Sequence, residues 1–330
     1  MIHIIAEAGN NHNGKIGIAK KLVDEAVLVG ADSVKFQIIY PEGLYLPEFY
    51  TEIGGYTINE VYEKRKQFML TDDEYRDLAA YCSQKGIVFS ASVFDKRGLQ
   101  LLQELNVSYI KIASCDLNNY GFLNQAAATG KRIIVSTGMA SMYEIEQAVQ
   151  ALTSTGNSDI VLMHCVSVYP CNTENMNLRF ISELKNKFGL PVGFSDHSES
   201  NLAAVIATAL GVDYLEKHLT MDRKQDGFDH AYAQEPEMMK QYIETVRIAE
   251  RALQQQTEKL SDAEKTVKSR ARRSVYAARD IEAGETIVEQ DLLIVRPEAA
   301  IDPGEVGDLL GKTVTTPFAK FESLAKSKVK

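Results

Sequence analysis

The sequence predicts an α/β protein, a closed (β/α)8 TIM barrel followed by a small β-rich domain. Three observations carry that prediction. Eight strand-like apolar runs alternate with amphipathic helical stripes up to residue 255. Several stripes end on a glycine just before the next strand. No glycine-rich dinucleotide fingerprint follows the first strand, which disfavours the alternative, an open doubly wound sheet.

In chain order the strand runs are 2–6 (IHIIA), 33–37 (SVKFQ), 87–92 (IVFSAS) and 108–112 (SYIKI), then 132–136 (RIIVS), 160–165 (IVLMHC), 191–194 (PVGF) and 213–218 (DYLEKH). The first helix places Ile18, Leu22, Ala26 and Val29 on one stripe, and a later one places Met142, Ile145, Val149 and Leu152. The segments LVGADSVKF, CSQKGIVF, ATGKRIIV and ALGVDYLEK each put the glycine where a helix hands over to a strand. Residues 1–255 are therefore read as the barrel. The charge-dense stretch QQQTEKLSDAEKTVKSRARR reads as an exposed helix and linker, 256–271. From 272 the texture changes to short β-like pieces around an Ala-Gly turn, so 272–330 is read as a separate domain.

Composition narrows the function classes. A chain of 330 residues, 45% hydrophobic and 25% charged, has the make-up of an ordinary globular protein. A net charge of −9 argues against a nucleic-acid partner, which needs a basic face. No apolar run approaches the ~20 residues of a membrane span, and MIHIIAEAGN reaches Glu7 too soon for a signal peptide. Cys82, Cys115, Cys165 and Cys171 form no CxxC pair, as expected of reduced thiols in a cytoplasmic protein.

Barrel enzymes carry their chemistry where strands end. Those ends hold Glu7; Lys35 and Gln37; Ser92; Lys111 and Ser114; Ser136 and Thr137; His164; Ser195, Asp196 and His197; and Glu216 and His218. In YLEKHLT (214–220), strand alternation puts Glu216 and His218 on one face and Lys217 on the other. His197 and His218 close neighbouring strands, and two imidazoles with open positions suit a first-row divalent metal. Two lysines and several serines around one mouth suit a compact anion. His164 reads more readily as a hydrogen-bonded interior histidine, and Ser136 and Thr137 as helix caps.

The segments AEAGNNHNG (6–14), VKFQ (34–37), KIAS (111–114), VSTGM (135–139), GFSDH (193–197) and EKHLTMD (216–222) resemble the sialic acid synthase family. The tail resembles that family's antifreeze-like SAF domain in SVYAARDIEAGE, VRP and LLGK. The resemblance implies an enzyme that condenses phosphoenolpyruvate with an N-acylated hexosamine to give a nine-carbon 2-keto-3-deoxy acid and phosphate. It implies Mn2+ (with Mg2+ or Co2+ as alternates) on His197 and His218, and phosphoenolpyruvate on Lys35, Ser92, Lys111, Ser114, Ser136 and Ser195. Glu7 would manage proton transfer and Glu216 would lie beside the metal. Gln37, Asp116, Tyr169 and Asp229 would face the acceptor, with Arg296 arriving from the SAF domain of a domain-swapped homodimer. The usual RPGxGI run reads RPEAAI here, and HAYAQEP replaces HxFSLEP, so the acceptor stays open between N-acetylmannosamine and a 2,4-diacetamido-6-deoxyhexose. Two other classes stay open beside it: a Schiff-base aldolase or lyase using Lys35 or Lys111, and a non-catalytic carbohydrate-binding or assembly protein.

Overall fold

The computed structural model describes the chain except residues 51, 54, 55 and 255–258, so the first residues of the expected linker lie outside the described residues. Two compact units divide at Gln254/Gln255. In the first, eight parallel strands close into a barrel: β1 (His3–Gly9), β2 (Ser33–Ile38), β3 (Val88–Val93), β4 (Tyr109–Ile112), β5 (Arg132–Ser136), β6 (Ile160–Cys165), β7 (Val192–Asp196) and β8 (Tyr214–His218). β1 pairs with β8 and β2, closing the ring. All eight expected strands are present.

Helices α1 (Ile16–Leu28), α3 (Asp72–Lys85), α4 (Lys96–Glu104), α5 (Tyr120–Ala127), α6 (Met142–Thr153), α7 (Phe180–Phe188), α8 (Leu202–Ala209) and α9 (Pro236–Ala252) follow the eight strands. The extra helix α2 (Ile58–Gln67) lies in the long β2–α3 connection, after a short pairing of Glu52–Ile53 with Tyr56–Thr57. Its N-terminus is a reciprocal cap between Thr57 and Glu60, and α3 and α6 start the same way, at Thr71/Glu74 and Ser141/Glu144. The four glycines expected at helix ends, Gly30, Gly86, Gly130 and Gly211, all have positive φ.

Strand alternation sorts the barrel into two cores. Ile4, Ala6, Val34, Phe36, Ile110 and Leu162 face the helices in the main hydrophobic core. Ile5, Tyr109, Ile134, Val161, Met163 and Tyr214 fill the barrel interior as a separate cluster. His164 and Asp196 share the outward parity and so do not point into the mouth. His164 is buried with Nε2 2.8 Å from the Met176 carbonyl. Asp196 is buried beside Lys217, with Nζ 3.2 Å from Oδ2, while Ser198 donates to its other oxygen through N and Oγ.

β1 runs further than its apolar residues foretell, with a register shift between Glu7 and Gly9. Gly9 has φ +52°, and a Cβ there would lie 2.8 Å from an Asp229 oxygen. Glycine allows the turn and that approach without strain.

In the second unit, β9 (Ser274–Ala277) pairs antiparallel with β10 (Leu292–Val295) around a core that includes Val275, Ile281, Ile287, Val314 and Phe318. α10 (Asp262–Ala271) belongs to the same unit, with Lys268 3.2 Å from Glu298. All four cysteines are free thiols. Among the described residues no helix is long and apolar enough to cross a membrane.

Candidate active site at the barrel mouth

Each inward-facing column changes character along its strand. β1 runs His3, Ile5, Glu7; β2 runs Ser33, Lys35, Gln37; β8 runs Tyr214, Glu216, His218. The last inward residues of the columns line a cavity of about 380 Å3 at the strands' C-terminal ends. Parallel pairing sets Glu7 opposite Lys35 on one side and His218 on the other, Ser92 opposite Lys111, and Ser195 opposite Glu216.

At the floor, Lys35 Nζ lies 2.5 Å from Glu7 and 3.5 Å from Glu216, and donates to Ser92 Oγ at 2.8 Å. Lys111 Nζ donates to Ser136 Oγ at 2.5 Å and to the Ile112 carbonyl at 3.2 Å. All four charged groups are buried. Desolvation alone would raise Glu216, but Lys35, Lys111 and a 2.8 Å hydrogen bond from Ser195 hold it at about 2. Glu7 goes the other way. Burial, reinforced by ionised Glu216, outweighs Lys35 and pushes it up to about 7. Lys35 is desolvated too, yet the two carboxylates raise it, whereas burial and neighbouring Lys35 lower Lys111. One carboxylate is thus firmly ionised while its neighbour holds a proton near neutrality, the division of labour that acid–base chemistry uses.

His197 and His218 stand beside this cluster, their ring centroids 5.7 Å apart. His197 Nδ1 is 2.8 Å from the Val166 carbonyl, which only accepts, so that nitrogen carries the proton and Nε2 keeps a lone pair. Nε2 is 3.2 Å from Ser195 Oγ, but the Ser195 hydrogen is given to Glu216. That lone pair therefore has no donor. His218 Nδ1 is buried without a hydrogen-bond partner. Burial holds both rings neutral, His197 down at about 4 with His218 contributing. Neutral imidazoles with uncommitted nitrogens fit a divalent ion. Among the described residues no group of three or more His, Cys, Asp or Glu is placed to hold a metal, so an ion here would rest on the two imidazoles together with water or substrate.

Fourteen of the fifteen expected site residues belong to the barrel unit, and Asp116 is the one of these absent from the cavity lining. It is buried in the turn after β4, where Asn119 Nδ2 donates to it at 3.3 Å. Arg296 directly follows β10 in the second unit and is exposed. Gln37 joins two expected groups, donating to Glu7 at 3.0 Å and lying 3.4 Å from Asp229. Tyr169 packs its ring 4.2 Å from that of His197.

Residues the motifs did not announce also line the cavity, among them Cys165, Tyr45, Phe94, Tyr232 and Arg65. Cys165 was legible from parity, since it ends the inward column Val161–Met163–Cys165, and its Sγ is 3.1 Å from Ser114 Oγ. Tyr232 donates to Asp229 at 2.6 Å from the loop after β8. Arg65 arrives on α2, with Cζ 3.6 Å from the Phe228 ring centroid. Residues on the connections between strands have no strand parity to betray them.

Known protein families match both units of the chain. The NeuB family profile matches residues 22–258 and the SAF domain profile matches residues 272–330. The N,N'-diacetyllegionaminic acid synthase of Legionella pneumophila is 35% identical, over 94% of this chain and 90% of its own. The N-acetylneuraminate-9-phosphate synthase of Homo sapiens is 33% identical, over 99% and 92%. The crystal structure of an N-acetylneuraminic acid synthetase from Leptospira borgpetersenii, in complex with citrate, superimposes with a TM-score of 0.73 at 34% identity, covering 80% of this chain and 89% of that one. The chain belongs to the NeuB family and carries a SAF domain at its C-terminal end.

Proposed function

We propose that the protein is a sialic-acid-type synthase that condenses phosphoenolpyruvate with an N-acylated hexosamine and water, giving a nine-carbon 2-keto-3-deoxy acid and phosphate. The observation that carries this reading is the floor cluster, in which Lys35 and Lys111 stand among buried serines beside one ionised and one proton-holding carboxylate. The relatives named above are synthases of this product class, which supports the same reading.

Lys35 and Lys111 offset the charge of phosphoenolpyruvate, and Ser92, Ser114, Ser136 and Ser195 supply hydroxyls for its oxygens. Holding both substrates in attack geometry contributes roughly 7–11 kcal/mol to lowering the barrier. C3 of phosphoenolpyruvate then bonds to the open-chain aldehyde carbon, and the aldehyde oxygen takes up a proton. Glu7, titrating near 7, is the group suited to move it. Water adds at C2, and the C–O bond to phosphate breaks to leave the keto acid. His197 and His218 would hold a divalent ion, most simply Mn2+, which as a Lewis acid would polarise the aldehyde. Gln37, Tyr169 and Asp229 are assigned to the acceptor. In the same proposal Arg296 is delivered from the SAF domain of a partner chain in a swapped homodimer.

Incubation with phosphoenolpyruvate, Mn2+ and each candidate sugar, with phosphate release monitored, tests this reading. Release that depends on a sugar and stops in chelator is expected, and its absence with every N-acylhexosamine would remove the proposal. Lowered Lys111 is the one observation that favours a Schiff-base lyase. Borohydride trapping of a pyruvate adduct on Lys111 would select that reading instead.

A further inference from the structure

His197 and His218 lie one step past the point where the backbone holds their two strands together. The β7–β8 ladder runs from Gly193 opposite Tyr214 to Asp196 opposite Lys217. β7 ends there, and His197 is the next residue. Beyond that pair the two histidine carbonyls are taken by different connections. The Cys171 amide donates to the His197 carbonyl at 2.9 Å, and the Gln234 amide donates to the His218 carbonyl at 2.8 Å. The spacing between the two imidazoles is therefore not set by the ladder itself.

A side-chain link continues the ladder on the far face of the sheet. Lys217 and Asp196 point outward, opposite in parity to Ser195, Glu216 and His218. Both are buried, and so is Ser198. Lys217 Nζ lies 3.2 Å from Asp196 Oδ2 and donates to the Ser198 carbonyl. Asp196 Oδ1 accepts from Ser198 N at 2.9 Å and from Ser198 Oγ at 2.6 Å. Asp196 thus closes a turn around His197, and Lys217, the neighbour of His218, ties that turn to β8. Tyr242 of α9 covers the ammonium, its ring centroid 5.4 Å away.

Stability alone gives little reason for such a pair. Desolvating two charges costs as much as their attraction commonly returns, and apolar residues of similar volume often hold strands together equally well. An apolar pair, however, cannot grip the Ser198 carbonyl from one strand while fixing the Ser198 amide from the other. Groups that orient metal ligands in this way, without touching the ion, govern how well the ligands converge.

Resting on the reading that His197 and His218 hold a divalent ion, we propose that Lys217 is a positioning residue for that site. Acting through Asp196 and Ser198 from the helix-facing side of the barrel, it keeps the two imidazoles at their separation, ring centroids 5.7 Å apart. It touches neither the ion nor substrate.

Mn2+ titrations without substrates, with the free ion followed by electron paramagnetic resonance, test this. The chains compared are the wild type, His197→Ala, Lys217→Met, the double variant Lys217→Met/Asp196→Asn, and Met163→Ala. The double variant is decisive, because asparagine leaves no stranded charge and its side-chain oxygen can still accept from Ser198. It should unfold in urea closer to the wild type than K217M does. It should nevertheless bind Mn2+ about tenfold or more weakly than the wild type, the loss expected when a group orienting a metal ligand is removed. M163A, destabilised inside the barrel, should keep wild-type Mn2+ affinity, and phosphoenolpyruvate affinity without metal should be unchanged in the double variant. Wild-type Mn2+ affinity in the double variant overturns the proposal. So does an equal loss in M163A, or a parallel loss of phosphoenolpyruvate affinity in the double variant, since either would mark general loosening. Mn2+ binding that H197A leaves intact removes the ion reading and the proposal together. Binding lost in H197A and kept in the double variant removes the proposal alone.

Discussion

The two ends of the barrel interior are built from the same strands with the same parity, and they solve burial in opposite ways. At the N-terminal end the polar groups satisfy one another. His3 Nε2 is 2.9 Å from Ser33 Oγ, which is 3.0 Å from Tyr109 OH, and Arg132 donates to Tyr214 OH at 2.7 Å. Ile5, Ile134, Val161 and Met163 fill the space around them. At the mouth, two carboxylates share Lys35, Lys111 adds a second ammonium, and His218 keeps a buried nitrogen unpaired. One end is complete by itself. The other keeps buried charges and an unpaired imidazole nitrogen, the kind of perturbed groups that gather at functional sites.

The sharpest way to break this contrast is at the histidines. His197→Ala or His218→Ala should lower turnover by about 1,000-fold or more while leaving the melting transition cooperative, since each removes one neutral donor from the mouth. Elemental analysis of the purified variants should show reduced Mn2+ retention. Full retention in both variants would separate the histidines from the ion.

Next in size is a comparison of two buried lysines on opposite faces. Lys35→Met strands Glu7 and Glu216, and Lys217→Met strands Asp196, so each should cost about 3–5 kcal/mol in urea unfolding. Only K35M should also abolish measurable phosphoenolpyruvate binding. Met163→Ala, in the apolar layer beneath, should cost about 2–5 kcal/mol through its cavity and leave phosphoenolpyruvate affinity little changed.

A pH series sharpens the contrast further. Glu7 is raised in the fold from 4.5 to about 7. Its contribution to stability is therefore present below pH 4.5 and lost as pH rises through 7. Relative to Glu7→Gln, the wild type should lose up to about 3 kcal/mol between pH 4.5 and pH 8. Parallel curves would show that Glu7 ionises normally. The smallest effect is expected at Cys165→Ser, under about 1 kcal/mol, because its neighbour Ser114 already provides a hydroxyl partner.

The barrel was legible because its signals are local and repeated. Apolar alternation marked the eight strands, and glycines with positive φ marked the helix ends. The floor of the site was legible for the same reason, because Glu7, Lys35, Lys111, Ser136, Ser195 and Glu216 sit at inward positions of strands. Parity carried further than the strand-end inventory did. It separates Cys165, which faces the cavity, from His164 and Asp196, which face the helices. The walls of the mouth were less legible. Arg65, Tyr45 and Tyr232 lie on connections, where position depends on how a segment folds back and not on any period in the chain. Asp116 shows the converse, a residue that the resemblance implied would face the acceptor and that lies in the turn after β4, outside the cavity lining.

The central claim is that the mouth holds a compact anion on its buried lysines. Titrating phosphoenolpyruvate into the wild type, Lys111→Met and Met163→Ala by calorimetry tests it most directly. The account predicts saturable binding to the wild type and to M163A, and at least about tenfold weaker binding to K111M. Equal binding by K111M and the wild type, or no binding by the wild type, would contradict it.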